Sequence, residues 1–286
     1  MAVLLALLAA LAYAAASVLQ QRAARAVPEE NALRPSLLLR LIRRPMWLAG
    51  TAADWSGFGL QALALGLGSI LVVQPLLCAG LLFALPIGAA WEGRRLGRRE
   101  WVAAVALTAG LAVFLIVGDP TEGKDFASTR AWVTTIALLG PVMVVCVVAA
   151  MRTRNTARAV LLALATAVLY SITAVITKSA VVELGEGFEA FVTSWEPYVG
   201  IVTAVVALLL NQSAFQAGEL EASLPILTVV EPIIGSILGV LMLNEQLRAT
   251  GALKWSAVVI SALVAIAAVV ALARAAARNE SAVAVD

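Results

Sequence analysis

Glu231 stands in the middle of a long apolar run, directly before Pro232. A carboxylate at the centre of a helix in lipid costs about 2.5–3.5 kcal/mol on the insertion scale, so such a group faces a cavity or a partner. Pro232 has no backbone N–H, and in a helix it releases the carbonyl of Thr228 one turn earlier. A released carbonyl beside a carboxylate is a cation or proton site of the kind that interrupted membrane helices build. The alternative is a structural carboxyl, protonated or paired with another helix. Gln74-Pro75 repeats the pattern and would release the carbonyl of Leu71, unless the two prolines only bend their helices for packing. Asp54 also lies mid-run, and Gln61 seven residues later shares its helical face. Asp54 either works in a pathway or pairs with a neighbour near the membrane surface.

Tyr13, Ser17, Gln20 and Gln21 follow the spacing i, i+4, i+7, i+8 and form one polar stripe. Tyr170, Thr173 and Thr177 form a second. The two stripes either line a shared pathway or hydrogen-bond between helices, and Asn211, Gln212 and Gln216 are read the same way. Cys78 and Cys146, the 2 cysteines, fall inside apolar runs and read as small buried hydrophobes. Histidine is absent, which removes the commonest metal ligand and the commonest general base. With no nucleophile-and-base spacing either, no enzyme and no cofactor is expected. Gly235 and Gly239 make a GxxxG pattern, read as packing within the chain before dimerisation. Glu92 and Glu245 fall at span ends beside basic residues and read as solvated interfacial acids.

These side chains need elements to position them, and the composition says which. Apolar residues make up 62% of the 286, charged residues 13%, and the mean hydropathy is +0.96. Soluble domains are about 45–50% apolar and about 25% charged, so lipid must contact most of this surface. The expected class is an all-α polytopic bundle of about nine spans. They are Ala2–Gln21, Trp47–Leu65, Ser69–Trp91, Trp101–Val117, Trp132–Met151, Ala159–Thr177, Tyr198–Gln216, Ala222–Leu243 and Trp255–Ala273. Ser36–Ile42 is too short to span and reads as an interfacial helix. Trp47, Trp91, Trp101, Trp132, Trp195 and Trp255 fall at span ends, where indoles suit the headgroup layer. The first span resembles a signal peptide but has no positive charge before it. No basic tract carries interleaved aromatics, so nucleic acid is not an expected partner.

Leu4–Ala23 aligns with Leu161–Ala180 at an offset of 157, pairing Tyr13 with Tyr170. At that offset Val72–Leu77 (VVQPLL) meets Val229–Ile234 (VVEPII). The units are residues 2–117 and 159–274, joined by a linking helix and loops at 118–158 and followed by a tail at 275–286. One unpaired helix between two four-helix units turns the second upside down, a recurrent plan of secondary transporters. Most of the 20 Lys and Arg residues fall at Arg22–Arg44, Arg94–Arg99, Arg152–Arg158 and Arg274–Arg278, all on one side. By the positive-inside rule this puts the C-terminus in the cytoplasm and the N-terminus outside, in a bacterial plasma membrane.

Pro232 followed by the helix-terminal Leu243-Asn-Glu245-Gln-Leu247 and a small-residue last helix resembles the drug/metabolite transporter superfamily with its EamA-type repeats. Trp47-Leu-Ala-Gly50, Val73-Gln-Pro75-Leu76 and the opening ALAYAAASVLQQRA also resemble its NIPA-like branch, associated with magnesium transport. The resemblance implies a carrier working by alternating access on a small metabolite or drug, or on a divalent cation. Its partners are that solute and the lipid bilayer, and it works as a monomer or homodimer.

Overall fold

The computed structural model describes residues 1–25, 40–91, 95–217 and 220–283. Its helices are α1 (Ala2–Arg25), α2 (Pro45–Gly66), α3 (Ile70–Leu77), α4 (Gly80–Trp91), α5 (Arg98–Gly118), α6 (Thr129–Arg152), α7 (Asn155–Glu186), α8 (Phe188–Thr193), α9 (Glu196–Ala217), α10 (Leu220–Leu243) and α11 (Ala252–Val283). Two short strands, β1 (Pro120–Thr121) and β2 (Gln246–Leu247), pair antiparallel. Among the described residues α1, α5, α6, α7, α9, α10 and α11 are the 7 helices long and apolar enough to cross a membrane. The protein is an all-α, multi-pass membrane bundle. Helices suit this setting because each satisfies its own backbone hydrogen bonds where no water can.

Several sequence expectations change in detail. The third predicted span is not continuous but breaks into α3 and α4 around Cys78–Ala79. The sixth extends well past Thr177 to Glu186. The interfacial helix expected at Ser36–Ile42 lies mostly outside the described residues, but Leu41 is fully buried in the core. Trp47 is buried as well, and belongs to the core and not to an interfacial belt. Trp132 and Trp195 do meet at a segment end, edge to face with centroids 5.4 Å apart.

Contacts sort the segment ends into two sets. Gly68 packs against Ala2, the amides of Ile70 and Leu71 meet Glu245, and β1 pairs with β2. The Lys124 amide donates to the Leu243 carbonyl at 2.5 Å, and Ser179 Oγ to the Asp125 carbonyl at 2.8 Å. The start of α1, the α2–α3 turn, the α5–α6 loop, the end of α7 and the α10–α11 loop therefore share one end of the bundle. At the other end Ala23, Leu41, Trp47, Ala150, Ala159 and Ala217 form one apolar cluster. It joins the ends of α1, α6 and α9 to the starts of α2 and α7. Helices α5 and α11 run antiparallel beside each other, with Gly118 near Val258 and Gly110 against Ser261 and Ala265.

Helix α7 is central, with 72% of its apolar stretch buried against 17% for α6. It packs on α9, α10, α6 and α2. Helix α6, the linking helix of the sequence reading, therefore lies at the lipid-facing edge.

Candidate functional site: a polar cluster where the two proline helices cross

Helices α3 and α10 carry the matched dipeptides Gln74-Pro75 and Glu231-Pro232, and they touch along their length. A Cβ on Gly239 would lie 3.3 Å from Ile70 Cβ, and one on Gly235 would lie 2.9 Å from Gln74 Cγ. Cys78 Sγ donates to the Thr228 carbonyl at 3.3 Å. Numbers rise along one helix as they fall along the other, so the two are antiparallel. Gly235 and Gly239 thus serve packing within the chain, as the GxxxG reading expected.

The Cys78 contact corrects two expectations. Pro232 was expected to leave the Thr228 carbonyl open for a cation, but a thiol hydrogen bond occupies it. Cys78 is only half-buried and acts as a donor, whereas Cys146 does sit in the apolar core. The break after Pro75 supplies the thiol. There the backbone switches to short turns, with Cys78 N on Pro75 O at 3.1 Å and Ala79 N on Leu76 O at 3.0 Å. Gly80, just past the break, lets α1 approach: a Cβ there would sit 3.2 Å from the Ala10 carbonyl oxygen.

Around this contact the structure gathers side chains from α1, α2, α7 and α10. Asp54 of α2 and Glu231 of α10 lie within electrostatic reach of each other. Both reach the phenols of Tyr13 on α1 and Tyr170 on α7, which also reach one another. Cys78 is within reach of Glu231. Among the described residues neither carboxylate has a cationic partner. Tyr13, Asp54, Tyr170 and Glu231 each keep part of their surface accessible. Tyr13 OH donates to Gln61 Oε1 at 2.6 Å, and its ring lies on Gly57. Ser171 Oγ donates to the Glu231 carbonyl at 2.9 Å, a second side chain on the α10 backbone near Pro232.

The remaining candidates divide. Gln20 lies against Asp54 and accepts from Gln212 Nε2 at 2.6 Å, tying α1 to α9 below the cluster. Gln74 is fully buried against Gly235, with no hydrogen-bond partner for its Oε1 or Nε2. Thr173 turns away from the cluster and donates to Thr203 on α9 at 3.1 Å. Thr177 is buried on the same helix, and Ser17 is partly accessible on α1. The second stripe is therefore split: Tyr170 faces the cluster and Thr173 faces α9. Asn211 was underweighted in the sequence. Its Nδ2 donates to Tyr170 OH at 3.5 Å, and it stands at the offset of 157 from Asp54, a signal the repeat already contained.

Glu245 is not the solvated acid expected. It is fully buried and pairs with Lys178 at 2.9 Å, itself inside α7 and not in an outer loop. Its Oε1 and Oε2 also accept the amides of Ile70 and Leu71 at 2.8 and 2.9 Å. Nearby, Glu183 and Glu196 are buried too, and Ser194 Oγ donates to Glu183 Oε2. Glu92 lies outside the described residues.

The sequence is 36% identical over 275 residues to an uncharacterized protein of Corynebacterium glutamicum, covering 96% of this chain and 95% of that one. The chain belongs to that protein's family. The match runs along nearly the whole bundle. No family model and no solved structure matches the chain.

Proposed function

We propose that the protein is a secondary transporter of the drug/metabolite transporter type, carrying a small metabolite or drug across a bacterial plasma membrane by alternating access. The observation that carries this reading is the antiparallel contact of α3 and α10 beside a polar cluster drawn from both halves. Interrupted helices meeting near the bilayer midplane at a repeat interface are where such carriers hold their solute.

The proposal includes nine crossings arranged as two inverted four-helix units, with α2 and the α3–α4 pair as the two crossings beyond the long helices. The two sets of segment ends support it, since α1 and α7 begin at opposite ends of the bundle. The neighbours support it as well. The α1–α2 contact has its counterpart in α7–α9, and the α2–α7 contact in α1–α9, while α3–α10 and α5–α11 pair across the halves.

The test is solute or proton flux in proteoliposomes. Glu231→Gln keeps the shape and removes the charge, and the expected outcome is loss of coupled transport. Unchanged pH-dependent transport in that variant removes Glu231 from the mechanism.

A magnesium carrier of the NIPA-like kind is the second reading, favoured by two carboxylates within electrostatic reach of each other that, among the described residues, have no cationic partner. Magnesium takes oxygen ligands and keeps several waters, so two carboxylates with phenol oxygens suit it without a closed cage. Magnesium-dependent thermal stabilisation that disappears in Asp54→Asn selects this reading over the first.

A further inference from the structure

Helix α3 is an eight-residue segment with a loosened joint at each end. Leu67–Ser69 precede it, and the short-turn break at Cys78–Ala79 follows it. Its first two amides are held by a side chain from the other half, the Glu245 carboxylate. Lys178 fixes that carboxylate and also reaches the Gly68 carbonyl at 3.4 Å. An ionised carboxylate on helix N-terminal amides makes strong, charge-assisted bonds. An ion pair out of water is costly to form and costlier to leave half-made, so it marks a place where position matters.

Ser69 occupies the N-cap position of α3, the residue type best suited to cap it. Yet it makes no cap hydrogen bond, and its Oγ is buried without a partner. Two capping groups therefore compete for one helix start, one from the far half and one from α3's own turn. Only one is engaged.

We propose that α3 is the gate segment at this end of the bundle, with Glu245, set by Lys178, as its catch in the closed state and Ser69 as its cap in the open one. On release, Ser69 Oγ accepts the Leu71 or Val72 amide, and α3 pivots at Cys78–Ala79. Each state then gives the helix start a side-chain cap, which makes the element bistable. The break lies beside Glu231, so a pivot there reaches the polar cluster directly. The purpose of this gate rests on the transport reading, but its movement is measured without transport.

The reporter is Leu71→Cys, a buried position, in a Cys146→Ser background, labelled in proteoliposomes with a membrane-impermeant maleimide. Labelling of the same background without Leu71→Cys is subtracted to remove any signal from Cys78. Glu245→Gln and Lys178→Met are expected to speed labelling on the order of tenfold. Lys178→Arg keeps the charge and should label near the parent rate. Ser69→Ala removes no bond present in the closed state and should slow labelling several-fold, a sign that a static brace would not produce. Parent-rate labelling in Ser69→Ala overturns the proposal, as does parent-rate labelling in a folded Glu245→Gln protein. If Glu245→Gln does not insert, Ser69→Ala and Lys178→Arg decide alone. Labelling that shifts as stated while no solute moves keeps the gate and sinks the transport reading.

Discussion

The Thr228 carbonyl shows how one atom decides a residue's role. Proline removes its helical partner, and Cys78 Sγ replaces it from the opposite helix. Cys78→Ser should keep the hydrogen bond, whereas Cys78→Ala should lose it and cost about 0.5–1.5 kcal/mol, read as a fall in melting temperature in detergent. An equal melting temperature for both variants would show that the thiol contributes only volume. Gly235 is tighter, since a Cβ there would meet Gln74 Cγ at 2.9 Å. Gly235→Val should cost about 1–3 kcal/mol by forcing α10 off α3. Glu231, Asp54, Tyr13 and Tyr170 were legible in the sequence because polar side chains in apolar runs are expensive and rarely idle. Cys78 was not, because a cysteine in an apolar run reads the same whether it packs or donates. Lys178 and Glu245 were missed for a related reason. Each sits near the end of a run, where sequence alone does not separate a solvated charge from a buried one.

At the scale of elements, apolar run length found the 7 long helices but not the break in the third predicted span. Pro75 marks the neighbourhood, but the break falls after it, at Cys78–Ala79, where Gly80 lets α1 come close. The close pair α5–α11 was not foreseen as a pair, because lipid-facing and helix-facing positions are equally apolar there. Their approach depends on Gly110, where a Cβ would sit 2.9 Å from the Ser261 carbonyl oxygen. Gly110→Leu should separate the two helices and lower thermal stability by about 1–3 kcal/mol, since the obstacle is backbone and cannot swing aside. A Gly110→Leu protein with an unchanged melting temperature would place α11 elsewhere. Helix α6 has no such constraint. Its exposed face carries Val133, Ile136, Val144 and Val145, and exchanges among apolar residues there should be close to neutral.

For the whole molecule, one relation organises the rest: α1 and α7, whose sequences align, begin at opposite ends of the bundle. The offset of 157 shared by Tyr13 and Tyr170 and by Gln74 and Glu231 is what prompts the proposal of two inverted units, because Pro and Tyr at fixed spacing stand out in an Ala- and Leu-rich background. What the offset does not disclose is the polar pairing that ties these helices together. Lys178 and Glu245 form a buried pair at one end, and Gln212 donates to Gln20 to tie α9 to α1. The most direct measurement is the sidedness of the starts of α1 and α7. Cysteines introduced one at a time, Ala2→Cys and Thr156→Cys, in a Cys146→Ser background would be labelled in intact cells with an impermeant maleimide, before and after permeabilisation, and the labelling of the same background, which retains Cys78, would be subtracted. The inverted arrangement requires the two positions to label from opposite sides, with Ala2→Cys reacting in intact cells. Labelling of both from the same side would contradict it.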